Sequence, residues 1–213
     1  MTPSNISHAF YSEKVSPSND SKQKDDNGDM NGMSAKLLKS RTVIISQQVN
    51  SELSAKVLNQ LVLLEQEDPK QGITVFINSP GGEIFSGFAI FDMLKFIECP
   101  ITTVVTGFAA SMGSVLSLAA DEGRRFAMPQ AKIMIHQPML MGYQGRAADC
   151  EIQAKEILRL RAKLNDIYVT HTGKKLTEIE KSMDRDNFMS ADEAKKFGLI
   201  DHVVTDRPDT GDD

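Results

Sequence analysis

The sequence of 213 residues lacks several features that would assign it to a specialised class of protein. Tryptophan is absent, and neither of the two cysteines, Cys99 and Cys150, has a cysteine neighbour at metal-ligand or redox spacing. We therefore expect reduced thiols and a cytoplasmic location. The net charge is −5 and no basic stripe is present, which argues against nucleic acid as a partner. The first residues do not combine a basic start with an apolar run, as a secretory signal would.

The sequence also contains no convincing membrane-spanning segment and no phosphate-binding loop motif. The uncharged stretch at residues 102–120 reads TTVVTGFAASMGSVLSLAA, and its six hydroxyl groups make it a poor membrane span. Neither the P-loop spacing nor G-x-G-x-x-G occurs. The charged and apolar fractions are those of an ordinary soluble protein, and the length suits one domain with a sizeable core.

Apolar, strand-like segments alternate with helical patterns through the middle of the chain. The predicted strands are residues 42–45, 73–77, a segment that ends at Val104, 126–128, 132–135 and 202–204. Helical spacing is predicted for residues 51–64 and 84–96. This alternation predicts an α/β fold with much parallel strand pairing and helices on the faces of the sheet.

Composition divides the chain into three parts. Residues 1–34 are polar, so we predict a disordered tail or a removable propeptide, with a flexible partner-binding arm as the alternative. Order is expected to begin near Leu37, in a domain that covers residues 35–205. Residues 206–213 are predicted to form a loose acidic tail.

A long amphipathic helix is predicted from Ala147 to about His171, because this stretch contains neither glycine nor proline. A compact domain of this size does not need so long a helix, so we expect it to project and to bury its apolar positions against another chain. Beyond it, Ser190 and Glu193 have the spacing of a capping box for a helix that Gly198 closes.

Ser111 lies where β-branched residues give way to helix-forming residues. A nucleophilic serine is presented at such a strand-to-helix turn, with the next backbone N–H pointing into the same space. The G-x-S-x-G pattern is not met, because position 109 is alanine. The alternative for this stretch is an ordinary buried core helix.

A serine nucleophile needs a base and a carboxylate that orients it. Of the four histidines, His136 follows an apolar strand, where open α/β folds place their sites, although a structural role is the alternative. Asp192 is explained by its place in the first turn of a helix. Asp184 and Asp186 lie in an irregular segment, and composition alone does not separate them. The turn at Gly81 and Gly82 could bring backbone donors close to a substrate, or form a simple tight loop.

Five segments together resemble ClpP, the proteolytic subunit of the Clp protease. They are FINSPGG at residues 76–82, GFAASMG at 107–113, IMIHQP at 133–138, GYQG at 142–145 and DRDNFMS at 184–190. The match extends from about Leu37 to Val204, in that family's order and spacing. The resemblance implies a crotonase-like spiral of ββα units with a protruding handle, made of a strand and a long helix, at about residues 137–172.

The resemblance also implies roles for individual residues. Ser111 is the nucleophile, His136 the general base and then acid, and Asp186 the carboxylate that holds the imidazole. The oxyanion hole is formed by the N–H groups of Gly82 and Met112. The implied substrate-binding residues are Gly81, Glu83, Ile84, Pro138 and Met139, and the implied sensor of oligomerisation is the pair Asp184 and Arg185. No metal site is implied.

The activity implied is that of a self-compartmentalised serine endopeptidase in protein quality control. Homo- or hetero-oligomeric rings, two stacked heptamers in this family, receive unfolded polypeptide from an AAA+ unfoldase such as ClpX, ClpA or ClpC. No cofactor is expected, because ATP is used by the unfoldase. Neither nucleic acid nor a membrane is an expected partner.

Two other functions are compatible with the sequence. Residues 30–36 read MNGMSAK where the family has an arginine- and tyrosine-bearing gate, and the segment from His136 to Gly145 is one residue longer than usual. The altered N-terminal segment favours a mainly structural or gating-deficient subunit of a mixed ring, whereas the extra residue concerns the substrate groove or the ring interface. The other alternative is a crotonase-type acyl-CoA enzyme, which shares the fold and needs no nucleophilic serine.

Overall fold

The computed structural model describes residues 26–139 and 145–204. Its strands are β1 Thr42–Ile45, β2 Ile73–Ser79, β3 Ile101–Ala110, β4 Arg125–Ala127, β5 Lys132–Ile135, β6 Asn187–Ser190 and β7 His202–Val203. Its helices are α1 Asp26–Lys39, α2 Ser51–Glu67, α3 Ile84–Phe96, α4 Met112–Ser117, α5 Ala147–Thr172, α6 Leu176–Ser182 and α7 Ala191–Phe197. The predicted α/β fold is confirmed.

All the strands of the described residues join one sheet, in which the long strand β3 has two different partners on one side. The main order is β1-β2-β3-β4-β7, with every pair parallel. The first half of β3 pairs with β4, whereas residues 108–110 pair in parallel with β5. Strand β6 then pairs antiparallel with β5. The sheet therefore divides at β3, and its smaller branch carries the ends of β5 and β6.

The core forms where the helices cover the sheet. Helix α2 buries Leu53, Val57, Leu61 and Leu64, the positions that the helical spacing predicted. This helix begins where the Asn50 side chain accepts a hydrogen bond from the Leu53 amide. Helix α4 is buried along its whole length, so the expectation of a core helix also holds for the residues that follow Ser111.

Strands β2, β4 and β7 differ from their predicted bounds by one or two residues, and the larger differences concern β3 and β6. The third strand was expected to end at Val104 but continues to Ala110, because β5 supplies a second partner and Asn78 Oδ1 accepts from the Phe108 amide. Strand β6 was not predicted at all. Its four residues include Asn187 and Ser190, which have little strand propensity, and only pairing with β5 makes them a strand.

The described chain begins with a helix where the sequence predicted order from about Leu37. Helix α1 overlaps residues 26–34 of the predicted disordered tail, and residues 1–25 lie outside the described residues. The helix is anchored at its carboxyl end, where Leu38 packs against the core and the Arg41 amide donates to its carbonyl. Lys36 and Lys39 in the last turn complement the helix dipole.

Helix α5 divides into a packed half and an exposed half. Its buried residues, Leu160, Leu164, Asn165 and Tyr168, all lie in the second half. In the first half, Ile152 and Leu158 are 62% and 61% exposed. A large apolar side chain at that exposure is available to a partner surface. The strand expected beside this helix falls largely on residues 140–144, which lie outside the described residues.

Arg125 ties the sheet to the end of the domain. Its guanidinium pairs with the Asp201 carboxylate and also donates to the carbonyls of His171 and Gly198. Burial alone would raise the pKa of Asp201, but the hydrogen bonds from Arg125 outweigh burial and hold that pKa below its ordinary value. The ends of α5 and α7 are thereby fixed to β4.

His171 gives the fold a predictable dependence on pH. Its ring is half-buried edge-on against Phe91, and burial, with smaller effects from Lys95 and Arg125, lowers its pKa to about 4. An exposed histidine protonates near pH 6.5, so the unfolded chain binds this proton first and stability falls as the pH drops from about 6.5 toward 4. Because the ring is partly exposed, we expect a loss of only about 1 kcal/mol.

Thermal unfolding of wild type and His171→Gln between pH 7.5 and 4.5 tests this expectation. The fall in Tm with pH should be smaller in His171→Gln than in the wild type. His202→Gln, which changes an exposed histidine, should keep the wild-type slope. Equal slopes in all three proteins would contradict the assignment to His171.

Neither cysteine forms a disulfide within the described residues. Cys99 is buried, and Arg41 Nη2 lies 3.3 Å from its sulfur. Burial raises the pKa of the Cys99 thiol in spite of that guanidinium. Cys99 is therefore a packing residue, whereas Cys150 is exposed on α5.

Candidate active site

Ser111 lies between β3 and α4, at the strand-to-helix turn that the sequence predicted. Its backbone has φ 53° and ψ −121°, a conformation that is strained for any residue with a Cβ. Its amide donates to the Met134 carbonyl of the neighbouring strand β5 at 2.9 Å. The turn thus continues the β3–β5 pairing by one residue and presents the Ser111 side chain at the carboxyl end of the sheet.

Strand register brings the predicted base and carboxylate to the same end. Ala110 pairs with Met134, so Ser111 is one residue beyond the last pair and His136 directly follows β5. Ile135 pairs with Asn187 in the antiparallel strand β6, so His136 and Asp186 are the next opposed residues. Neighbouring strands lie about 4.8 Å apart, within reach of side-chain hydrogen bonds between residues at their ends.

The histidine and the carboxylate are hydrogen bonded. His136 Nδ1 lies 2.9 Å from Asp186 Oδ1. The His136 side chain is 13% exposed and that of Asp186 is 58% exposed, so the pair lies at the surface of the described chain. An ionised carboxylate only accepts hydrogen bonds, so this contact places the ring proton on Nδ1 and leaves Nε2 as the acceptor.

No hydrogen bond joins Ser111 Oγ to the His136 ring among the residues that the structure describes. Such catalytic contacts are often long before a substrate binds.

The sequence left Asp184 and Asp186 as equal candidates by composition, and the structure brings only Asp186 to the histidine.

The loop at Gly81 and Gly82 contacts the serine turn directly. Gly81 has φ 88°, and a Cβ added there would lie 2.8 Å from Ser111 Cβ and 2.5 Å from the Ala110 carbonyl oxygen. Gly82 forms a parallel bridge with Val49, in which Val49 N donates to Gly81 O and Glu83 N donates to Val49 O. Only glycine allows the loop to approach both the serine turn and Val49 so closely.

Two backbone donors beside Ser111 have no partner within the described ranges. The amides of Gly82 and Met112 donate to no protein acceptor there, although their neighbours Gly81 and Glu83 both do. Unpaired N–H groups at a helix start and a glycine loop can stabilise a developing oxyanion. These are the two donors that the resemblance implies.

The predicted substrate-binding residues form two separate segments. Glu83 and Ile84 lie at the start of α3, next to Gly81, whereas Pro138 and Met139 follow His136. Met139 is 62% exposed, and its neighbours 140–144, which include most of the predicted GYQG motif, lie outside the described residues. No hydrogen bond joins the two segments within the described part of the chain.

Asp184 and Arg185 lie at the surface next to the histidine–carboxylate pair. Arg185 Nε is 3.7 Å from Asp184 Oδ2, and both side chains are exposed. A weak ion pair in this position contributes little stability by itself. Both residues therefore remain available to a partner surface, and their predicted role as a sensor stays a prediction.

Two supporting residues were missed from the sequence. The backbone amide of Gln137 donates to the Met183 carbonyl, and its side-chain Nε2 donates to the Asp184 carbonyl. These two hydrogen bonds connect the residue after His136 to the segment that leads to Asp186. Ser79 is fully buried, and its hydroxyl donates to the Gln47 carbonyl and accepts from the Gly81 amide. Both lie inside motifs that the sequence analysis quoted, but only their contacts show what they do.

Two other kinds of feature, a metal-ligand cluster and a membrane-spanning helix, are not formed by the described residues. Within the described ranges, no three His, Cys, Asp or Glu side chains come together as metal ligands would. None of the helices in the described part combines the length and the apolar character that a membrane crossing requires.

Comparison with known protein families places the chain in one of them. The family model described as Clp protease matches residues 24–207, a range that includes the turn at Ser111, the glycine loop, His136 and Asp186.

Proposed function

This chain belongs to the Clp protease family, and from that premise we propose that it is a serine endopeptidase in which Ser111, His136 and Asp186 form the catalytic triad. The observation that carries the proposal is the 2.9 Å contact between His136 Nδ1 and Asp186 Oδ1, one strand away from the strained turn at Ser111. A serine, a base and a carboxylate in this relation are the parts of acyl transfer.

Acylation follows from these positions. His136 Nε2 accepts the proton of Ser111 Oγ as that oxygen attacks the carbonyl carbon of the scissile peptide bond. The carbonyl oxygen becomes negative and accepts hydrogen bonds from the amides of Gly82 and Met112. The imidazolium is stabilised by Asp186 and gives its proton to the leaving amine, so the C–N bond breaks and an acyl-enzyme remains. Water then gives a proton to His136 and attacks the acyl carbon. The ester C–O bond breaks, Ser111 Oγ takes the proton back from His136, and the carboxylic acid product leaves.

Substrate binding is proposed to use backbone pairing. The segment at Glu83 and Ile84 and the segment at Pro138 and Met139 would flank an extended peptide and add it as a strand. Main-chain hydrogen bonds carry affinity in this mode, which suits a peptidase with little preference for sequence. Gly81 lies two residues before Glu83 and contacts the turn that carries the nucleophile, so we assign it to the same edge.

Assembly is the second part of the proposal. The exposed apolar residues Ile152 and Leu158 on the first half of α5 support its role as a handle between rings. We propose two stacked heptameric rings, homo- or hetero-oligomeric, that enclose the active sites and receive unfolded polypeptide from an AAA+ unfoldase such as ClpX, ClpA or ClpC. ATP is then used by the unfoldase. The cytoplasmic location stays a prediction.

A fluorophosphonate probe tests the proposed nucleophile. We expect the native assembly to be labelled on one peptide, at Ser111, and the unfolded chain not to be labelled. His136→Ala should slow labelling by at least about 100-fold, because a general base contributes that much or more. Labelling of another serine, or hydrolysis of an unfolded protein by a chain that the probe leaves unmodified, would refute the assignment. Absence of labelling would also favour the acyl-CoA alternative.

A mainly structural or gating-deficient subunit of a mixed ring is the second candidate function. It is favoured by residues 30–36, which lie in α1 and read MNGMSAK rather than carrying the family's arginine and tyrosine. Native mass measurement and peptidase assays, with and without a second subunit of the family, distinguish the two cases. Full peptidase activity and unfoldase binding by the single chain alone would exclude the mainly structural role.

A further inference from the structure

The carbonyl group of Ser111 is held by three hydrogen bonds. It accepts from the amides of Ser114 and Val115 at 3.0 and 3.2 Å and from the Ser114 hydroxyl at 2.7 Å. The two amide contacts belong to the start of α4 and would form at any helix N-terminus. The contact from the Ser114 hydroxyl is additional, and it comes from a side chain that is fully buried.

Ser114 is in turn held by Tyr168 of helix α5. The two hydroxyl oxygens lie 2.6 Å apart. Ser114 has one hydroxyl proton and donates it to Ser111, so Tyr168 must be the donor to Ser114. Burial raises the pKa of Tyr168, which keeps its phenol protonated and able to donate. A directed chain therefore runs from Tyr168 through Ser114 to the Ser111 carbonyl.

The Ser111 carbonyl and the Met112 amide belong to one peptide unit. A trans peptide is planar, and its C=O and N–H bonds point in opposite directions. Fixing the direction of the Ser111 C=O therefore fixes the direction of the Met112 N–H. That constraint matters here, because the backbone of Ser111 is strained. Rotation toward an ordinary conformation would lower its free energy and would turn the Met112 N–H away from its present direction.

We propose that Tyr168 and Ser114 are positioning residues that aim the Met112 N–H at the oxyanion. This role rests on the proposed function, since it requires that Ser111 and Met112 serve acyl transfer. Neither residue touches the substrate. Their contribution is to hold one of the two oxyanion donors in the direction that the transition state needs, from the packed half of α5.

Kinetics of Tyr168→Phe and Ser114→Ala in the full-length assembly test the proposal. Each variant removes a hydroxyl and keeps the helical backbone. We expect kcat for a short peptide to fall about three- to tenfold, the worth of one hydrogen bond, with KM within about twofold of wild type. A peptide boronate, whose oxygen occupies the oxyanion position when boron bonds Ser111 Oγ, should bind more weakly by the same factor. The double variant should be no slower than Ser114→Ala, because both act through one chain.

Ser117→Ala is the matched control. Ser117 is another fully buried serine of α4, and its hydroxyl donates to the Ser114 carbonyl at 2.7 Å rather than to that of Ser111. This variant loses the same kind of hydrogen bond, so a fall in Tm with unchanged kcat and boronate affinity is expected. Equal loss of kcat in Ser117→Ala and Ser114→Ala would overturn the proposal and assign the effect to helix stability.

The test also separates this inference from the proposed function. If wild type hydrolyses peptide and binds the boronate, but Tyr168→Phe and Ser114→Ala equal it in kcat and boronate affinity, the positioning role is wrong and the peptidase function stands. If wild type neither hydrolyses peptide nor binds the boronate, in the single-chain or mixed ring, the proposed function fails and the positioning role fails with it.

Discussion

Ser111→Ala is expected to lower kcat for peptide hydrolysis by on the order of 10⁴-fold or more. Alanine keeps the backbone of the turn and removes only Oγ, so His136 has no proton to accept and no acyl-enzyme forms. The measurement is turnover of a fluorogenic peptide and of an unfolded protein, with native mass to show that the assembly is intact.

The histidine supplies the control for this prediction. His136→Ala should lose about as much activity as Ser111→Ala, and the double variant should lose no more than either, because the residues act as a unit. His202→Ala changes an exposed histidine that stacks on Phe126, away from Ser111, and should leave kcat unchanged. Retention of activity in Ser111→Ala would show that another residue is the nucleophile.

Gly81→Ala is expected to lower peptidase activity by at least about 100-fold, because the added Cβ displaces the nucleophile. The methyl group would lie 2.8 Å from Ser111 Cβ and 2.9 Å from Met112 N, so the serine turn must shift. A displacement of about 1 Å costs roughly that factor in rate. The rate constant for fluorophosphonate labelling measures the effect at Ser111 itself, without a contribution from substrate binding in the groove.

Gly123→Ala separates close approach from backbone strain. Gly123 has φ 80°, similar to the 88° of Gly81, but a Cβ there would meet no atom within 4 Å. Both variants therefore carry the strain of a left-handed residue, about 1–2 kcal/mol. Gly123→Ala should lower Tm and leave the labelling rate unchanged. A similar loss of labelling in the two variants would mean that strain, rather than contact with Ser111, explains the result.

Local sequence predicted the parts of this fold that depend on local chemistry. The strands at Thr42–Ile45 and Lys132–Ile135 were predicted at their observed bounds, because short runs of buried apolar residues fix them. The capping box at Ser190 is also observed, since its side chain and that of Glu193 bond reciprocally to each other's backbone. Each of these features is decided within a few residues.

Long-range pairing explains what the sequence could not predict. The extra length of β3 and the existence of β6 both depend on β5, which offers a partner to each. The same pairing distinguishes Asp186 from Asp184, because register with Ile135 places Asp186 opposite His136. Tyr168 gave no signal, since a buried aromatic residue on an amphipathic helix is ordinary, and only its contact with Ser114 shows a further role.

The antiparallel pairing of β6 with β5 also joins parts of the proposed triad that are made at different times during synthesis. Asp186 follows His136 by 50 residues and comes from the last part of the domain to leave the ribosome. Synthesis runs from the amino to the carboxyl end, so the glycine loop, the serine turn and His136 are made before Asp186. With the proposed triad, a chain in which β6 has not yet paired with β5 lacks the contact that orients His136, so we expect hydrolytic activity only after residues 187–190 have been made and paired.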